Sequence, residues 1–459
     1  MSPTPPNPKH IHIIGIAGVA TSAIAIAFHK IGWKVTGSDK GIFPPVSTEL
    51  EKHKIDFYVG WHPDKIGKPD LIMTGGSGTS PSNPEVLFAK ENNIPVYDYP
   101  KVLEDYFIKK NSIVTVGTWG KTTSSSLLSY ILIQASMDPS YFTGGLSLSH
   151  DTGAISNGEW SVVEGDEYQV SISDKRPKFV YYHPSHLLLT SVSWDHADLY
   201  PTEADYFKVF YDLVEKPELI VACNDDAGVK KVLKDSKKKI VTYGKTPEAK
   251  YFYHDIKHTK NGLEFSINEY KIKSPMLGRF NAENITGAFA MAVEIGIKPE
   301  IVLQAITDFK GIKRRFEKRF EGDVTVMDCH APTAEKASSI LESTREVYDK
   351  KIIAIYEPNI GGRQRSSASM YDNAFKNADM VIIPRLSHLK VAEGDIERPM
   401  EGDDLASVIA KSHKNVIFIA DDVELVNTLQ STAKKDDIIV FLGSHGFRGM
   451  IEETVKKLP

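Results

Sequence analysis

Short runs of β-branched and apolar residues recur along this chain, each ending in small or acidic residues and followed by a stretch with helical spacing. His10-Ile11-His12-Ile13-Ile14 leads into Gly15-Ile16-Ala17-Gly18 and then a helix-like segment through Ala25 and Phe28. Trp33-Lys34-Val35-Thr36 ends in Gly37-Ser38-Asp39, and Leu71-Ile72-Met73 ends in Thr74-Gly75-Gly76-Ser77-Gly78. In the middle of the chain, Ile113-Val114-Thr115-Val116, Ser161-Val162-Val163 and the apolar run 187–192 repeat the pattern. The last third carries five more runs, at 324–327, 352–355, 380–383, 416–419 and 438–441. Strands covered on both faces read as continuous apolar runs, and their alternation with helical stretches predicts parallel sheets wound with helices. The expected fold is therefore α/β in three domains. A Rossmann-like N-terminal domain spans residues 1–108, a central P-loop domain with a mostly parallel sheet spans 109–315, and a Rossmann-like C-terminal domain spans 316–459.

At 459 residues the chain exceeds what one core organises, which agrees with several domains. Its 41% hydrophobic and 25% charged content is that of an ordinary soluble protein. A net charge of -5 argues against a general nucleic-acid binder while leaving room for an anionic nucleotide in a locally positive loop. The two cysteines, Cys223 and Cys329, stand far apart with no metal-like spacing, which suits a reducing compartment. The Pro-rich, polar N-terminus lacks the layout of a signal segment, and no apolar run approaches the length of a membrane span. A cytoplasmic protein without membrane or nucleic-acid partners is expected, as a monomer or weak dimer.

Chemistry concentrates at Gly117-Thr118-Trp119-Gly120-Lys121-Thr122-Thr123, between a predicted strand and a predicted helix. Small loop residues let backbone N–H groups converge on phosphate oxygens, and a helix N-terminus adds partial positive charge. Lys121 is placed to reach the β- and γ-phosphates of ATP and Thr122 to ligate Mg²⁺. Two further strands deliver Glu164-Gly165-Asp166-Glu167 and Trp194-Asp195-His196-Ala197-Asp198 to the same sheet edge. Carboxylates and an imidazole beside a triphosphate call for a cation, and Thr122, Glu164 and His196 are the expected ligands. Gly15, Gly18 and Asp39 form a βαβ opening but not a dinucleotide fingerprint, since Ala17 and Ala20 stand where glycines would be. For that pair a tight turn and a ligand contact both stay open, as do a solvated linker and a phosphate-contacting arginine for the charged run 311–319.

Taken together, these motifs resemble those of the Mur ligase family over essentially the whole chain. The family's ATP loop is matched by Gly117 to Thr123, its acidic cluster by Glu164 to Glu167 and its Asp-His-x-Asp by Asp195 to Asp198. Its adenine-side motif is similar to Gly278-Arg279-Phe280-Asn281-Ala282-Glu283-Asn284, and its hinge to Arg314-Arg315-Phe316. The resemblance implies that ATP engages Gly117, Thr118, Gly120, Lys121, Thr122, Thr123, Asn281, Asn284, Arg314, Arg315 and Asp328. It implies a UDP-N-acetylmuramate substrate held by the first domain near Gly15, Gly18, Asp39 and Ser77, and an amino acid or peptide acceptor admitted by the third. Two branches compete: one adds L-alanine and the other attaches a recycled tripeptide. Glu164 to Tyr168, the segment 174–180, Asp195 to Tyr200 and 443–449 look like the recycling branch, which is the main expectation. Gly37-Ser38-Asp39 and Ser80-Pro81-Ser82-Asn83-Pro84-Glu85 look like the alanine-adding one. For a tripeptide, His330, Arg363 and Arg365 are the expected acceptor-side groups.

Departures from the family pattern are specific. Trp119 and Phe280 replace histidines, and the third-domain motif is shortened to Asp328-Cys329-His330-Ala331-Pro332-Thr333. Tyr211 occupies the offset where some branches carry a carbamylated lysine. The lost histidines leave open a nucleotide-sugar-binding protein without ligase activity, and the ATP site is equally that of a small-molecule kinase that releases its phosphorylated product. The intact Lys121, Thr122, Glu164 and His196 favour an ATP-driven ligase.

Overall fold

The computed structural model describes residues 9–43, 46–76, 80–171, 173–196, 199–387 and 398–458. Ser77 and Gly78 of the N-terminal glycine loop, and Ala197 and Asp198 of the Asp-His motif, lie outside the described residues. Contacts divide the chain into two compact units, one of residues 1–256, 264–274 and 280–310, the other of 257–263, 275–279 and 311–459.

The first unit holds two sheets. In the N-terminal sheet the order is Asp56–Val59, Lys34–Asp39, His10–Ile14, Leu71–Thr74, Val96–Asp98, all parallel. Strand order reverses beside His10–Ile14, and in open α/β sheets the crevice at such a reversal receives ligands. Gly15 turns there at φ 90°, and its N–H donates to the Ser38 carbonyl at 2.8 Å. Only a residue without Cβ takes that conformation cheaply. The following helix Val19–Lys30 buries Thr21, Ala23, Ile24, Ala25, Ala27 and Phe28.

In the ten-stranded sheet, Asn111–Val116 lies between Trp160–Glu164 and His186–Leu189, parallel to both. Thr115 is in register with Glu164, and Val116 with Leu189. Three carboxyl ends therefore open at one edge, as expected from the sequence. The strand predicted over 187–192 stops at Leu189, because Thr190 and Ser191 leave the ladder to bond the loop that follows Val116.

Helix Lys121–Gln134 is buried on most sides and so shows almost no amphipathic pattern. Ser124, Ser125, Ser126 and Ser129 are small enough for the helix Phe280–Glu294, itself rich in Gly and Ala, to pack close against it. Leu127, Leu128, Ile131 and Leu132 are fully buried, each contributing about 1.5–3 kcal/mol. One apolar cluster runs from Ile11 and Phe28 through Val114, Val163 and Leu187 to Val229, joining both sheets of this unit.

The second unit holds a six-stranded sheet in the order Glu317–Glu321, Thr325–His330, Ile438–Gly443, Ile352–Glu357, Met380–Pro384, Val416–Ile419. The five strands expected from the sequence are all present and parallel. The sixth is an antiparallel edge strand built from Glu-Lys-Arg-Phe-Glu. Its charges hide it from periodicity, yet charged side chains are what protects an edge from pairing with another chain. Among the described residues, no helix is long and apolar enough to cross a membrane.

Candidate active site

The loop after Val116 is held by backbone and small side chains. Gly117 sits at φ 138°, and a Cβ there would lie 2.2 Å from Thr190 Oγ1 and 2.7 Å from the Ser191 nitrogen. The Thr118 N–H donates to the Ser191 carbonyl at 3.1 Å, and the Trp119 N–H to Ser191 Oγ at 2.8 Å. Thr118 Oγ1 bonds the Ser193 carbonyl at 2.9 Å and meets the Tyr206 hydroxyl at 3.0 Å. Gly120, at φ 83°, starts the helix, and a Cβ on it would be 2.5 Å from Asn284 Oδ1. Lys121, Thr122 and Thr123 form the first helical turn, whose N–H groups have no acceptor within the helix. Trp119 is 45% exposed at the tip.

Asn284 and Asn281 are both buried, with Asn284 Nδ2 donating to Asn281 Oδ1 at 3.0 Å. The structure thus brings the Asn-x-x-Asn motif against the phosphate loop, more than 150 residues away in sequence.

Charge around the loop is arranged in two groups. Thr122 Oγ1 donates to Glu164 Oε1 at 3.0 Å, and the Gly144 N–H donates to Glu164 Oε2 at 2.7 Å. Burial pushes the Glu164 carboxyl above its ordinary range, partly offset by Lys121, the Gly144 N–H and the Thr122 hydroxyl. Lys121 Nζ donates to Glu167 Oε2 at 2.9 Å and Oε1 at 3.1 Å, and also to the Gly117 carbonyl. Burial would lower the Lys121 ammonium, but Glu167 and Glu164 outweigh it and hold the group charged. His196 Nε2 lies 3.7 Å from Glu167 Oε1, and that carboxylate raises the imidazole above its usual value. Asp166 is partly exposed, and Lys178, 2.5 Å away, holds its carboxyl below the usual range.

The expected metal ligands are therefore divided. Thr122 meets Glu164, whereas His196 groups with Asp166 and Glu167, whose ligand atoms all lie within 4.8 Å of one another. Sequence reasoning quoted Glu167 without a role. Its signal was position, three residues past a strand-terminal glutamate and beyond a glycine where the chain turns. Both groups offer hard oxygen donors of the kind Mg²⁺ prefers, and Glu164 is a partly buried carboxylate that accepts, among the described residues, from a hydroxyl and a backbone N–H.

In the N-terminal sheet, Asp39 Oδ2 accepts from the Ala17 N–H at 3.0 Å and Oδ1 from the Lys40 N–H at 2.7 Å. Gly15, Gly18 and Asp39 come together as one turn, whose geometry backbone bonds explain. Nearby, the buried Glu85 accepts from Tyr58 at 2.7 Å, the His62 N–H at 2.8 Å and Ser38 at 2.5 Å.

In the second unit the predicted groups are engaged internally. Arg314, at φ 62°, donates to the carbonyls of Gly443 at 2.9 Å and His445 at 2.7 Å, and pairs with buried Asp328 at 3.3 Å. Arg315 is exposed. Burial and the nearby Arg315 and Arg314 push His330 down to about 3, so it is neutral. Arg363 is 2% exposed and donates to Met400 O at 3.0 Å, Ser387 O at 2.7 Å and Glu401 at 3.0 Å. The expectation that Arg363 greets a peptide carboxylate meets a physical obstacle, because its guanidinium ties loops of its own domain together. Arg365 is half-exposed and lies 3.5 Å from Asp404.

Three family models match in chain order: the Mur ligase family catalytic domain over residues 10–110, the Mur ligase middle domain over 114–292, and the Mur ligase glutamate ligase domain over 314–445. A UDP-N-acetylmuramate–L-alanine ligase from Bradyrhizobium sp. (strain ORS 278) is 30% identical over 455 residues, covering 95% of this chain and 94% of its own. The chain belongs to the Mur ligase family. Members of this family are ATP-dependent ligases that form amide bonds, and this chain is an enzyme of that class. Among solved structures, the UDP-N-acetylmuramate–alanine ligase of Thermotoga maritima matches with a TM-score of 0.80 at 22% identity, covering 98% of both chains. The murein peptide ligase of Psychrobacter arcticus matches with a TM-score of 0.70 at 23% identity, again over 98% of both. These two likenesses establish the three-sheet fold.

Proposed function

We propose that this enzyme joins L-alanine to the carboxylate of UDP-N-acetylmuramate, with ATP as the energy source. The observation that carries this reading is the full-length similarity to ligases named for that reaction, 28–30% identical over at least 94% of both chains. It replaces the tripeptide acceptor as the first reading. The buried, internally bonded Arg363 removes one of the basic groups on which a tripeptide pocket was argued.

The residues divide the work as follows. The loop amides and Lys121 bind the phosphates and offset charge as the muramoyl carboxylate oxygen attacks the γ-phosphorus and ADP departs. The carboxylate oxygen thereby becomes part of a phosphate leaving group. The amine lone pair then attacks the acyl carbon, the nitrogen loses a proton, and the tetrahedral centre expels inorganic phosphate. Thr122 and Glu164, with Asp166 and His196 nearby, would hold Mg²⁺, which supplies charge neutralisation at the phosphates when bound. Asn281 and Asn284 buttress the loop on its nucleotide side. The first domain, 1–108, serves the UDP-sugar through the turn at Gly15, Gly18 and Asp39; the last, 316–459, serves the acceptor near His330. Arg314, Arg315 and Asp328 form the hinge-side group.

The deciding experiment incubates the enzyme with ATP, Mg²⁺ and UDP-N-acetylmuramate and offers L-alanine or L-alanyl-γ-D-glutamyl-meso-diaminopimelate. Phosphate release and product mass with L-alanine are the expected result. Efficient ligation of the tripeptide with none of alanine returns the assignment to the recycling branch, and no ligation of either defeats both.

A further inference from the structure

The Lys121 ammonium has three N–H donors, and three oxygens already receive them. The Gly117 carbonyl lies at 2.5 Å, Glu167 Oε2 at 2.9 Å and Glu167 Oε1 at 3.1 Å. The pair is sheltered, with side chains 13% and 2% exposed, so each charge depends on having a partner far more than in a surface salt bridge. A phosphate oxygen reaching this ammonium must displace one of the three. The Gly117 carbonyl belongs to the loop backbone, whose φ of 138° is enforced by Thr190 and Ser191. The Glu167 carboxylate is the ligand that can turn away. Its backbone stays anchored, because the Tyr200 hydroxyl donates to the Glu167 carbonyl at 2.6 Å. His196 Nε2, 3.7 Å from Oε1, waits on the other side as a second partner.

We propose that Glu167 is a positioning residue that locks Lys121 in the nucleotide-free enzyme and yields it to the triphosphate, turning toward His196. This rests on the reading of 117–123 as the ATP loop. The lock keeps a long, flexible side chain in register before substrate arrives, and it must be broken when ATP binds. Removing it therefore has opposite effects on binding and on turnover. A bystander carboxylate that merely repels an anionic ligand would also weaken ATP binding, but independently of Lys121.

The test is a double-mutant cycle read by calorimetric titration of the full chain with ATP and Mg²⁺. Glu167→Gln should tighten ATP binding by about tenfold while lowering kcat, so that KM for ATP and kcat fall together. In a Lys121→Ala background the same substitution should leave ATP affinity unchanged. Equal or weaker binding by a folded Glu167→Gln protein overturns the proposal, and so does an equal gain without Lys121. Should Glu167→Gln fail to fold, ¹⁵N-lysine NMR and a structure of the wild type with a non-hydrolysable ATP analogue decide. Lys121 still bonded to both Glu167 oxygens with the analogue seated sinks the lock; Lys121 on phosphate supports it. A wild type that binds no ATP overturns the nucleotide reading beneath it, an outcome separable from failure of the lock alone.

Discussion

The phosphate loop and the carboxyl edge of the C-terminal sheet are both strand ends crowded with charge, yet they spend that charge differently. At the loop, Lys121 and the carboxylates around it are held by few, replaceable partners, and the helix N-terminus leaves its first-turn amides without helical acceptors. At the C-terminal edge, Arg314, Asp328 and Arg363 satisfy carbonyls and carboxylates of their own unit. The difference is one of vocation: a cation whose acceptors are mostly fixed backbone carbonyls is a structural tie, whereas Lys121, held by one movable carboxylate beside a single carbonyl, is available to a ligand.

Lys121→Ala should break the first side of this contrast most severely, lowering ligation by about a thousandfold or more while leaving UDP-sugar binding nearly intact. Phosphate-release kinetics beside titration with UDP-N-acetylmuramate would measure both, and unchanged turnover would remove Lys121 from the chemistry.

Arg363→Ala tests the other side. It strands the Met400 and Ser387 carbonyls and removes an ion-pair partner of the partly exposed Glu401, and should cost about 3 kcal/mol in denaturant unfolding. Arg365→Ala, at an exposed ion pair, should cost less than about 0.5 kcal/mol. An Arg363 variant of normal stability that had lost acceptor binding would mean that the tie is a binding group after all.

A smaller effect is expected from Glu164→Gln. One formal charge leaves the group beside Thr122, so the Mg²⁺ concentration for half-maximal rate should rise by about tenfold. A metal titration that does not move would discharge Glu164 from the metal site.

A further effect concerns pH. His330 titrates at about 3 in the folded chain against 6.5 ordinarily, because burial and neighbouring arginines disfavour its charged form. The unfolded chain therefore takes up this proton first, and stability drains away as pH falls from about 6.5 toward about 3. His330→Asn should flatten that part of the profile and leave stability at pH 7.5 nearly unchanged. Urea midpoints at pH 7.5 and 5 would decide, and a profile that stays as steep would assign the acid sensitivity elsewhere.

Legibility followed the range of the interactions. The phosphate loop was readable because seven consecutive residues carry its geometry, with Gly117 and Gly120 at positive φ. The strands bearing Glu164 and His330 were readable from apolar runs. The edge strand Glu317–Glu321 was hidden because its pairing with Thr325–His330, not its own pattern, makes it a strand. Which carboxylate would meet Lys121 was equally hidden. Gly165 packs against Val114 and Val116 so tightly that a Cβ would come within 2.6 Å, and the chain turns there. That turn assigns Glu164 to Thr122 and Glu167 to Lys121, and nothing in the order of four residues announces it. The burial of Arg363 was hidden for the mirror reason: a glycine-opened loop suggests exposure, while acceptors at Ser387, Met400 and Glu401 bury the side chain.

The apolar cluster that joins the N-terminal sheet to the ten-stranded sheet bears on how such a protein can change over evolutionary time. Phe28 and Ile24 share a core with Val114 and Leu187, so the N-terminal segment is not a cassette that recombination can exchange whole. Change in this segment has to come by altering loops on a retained framework.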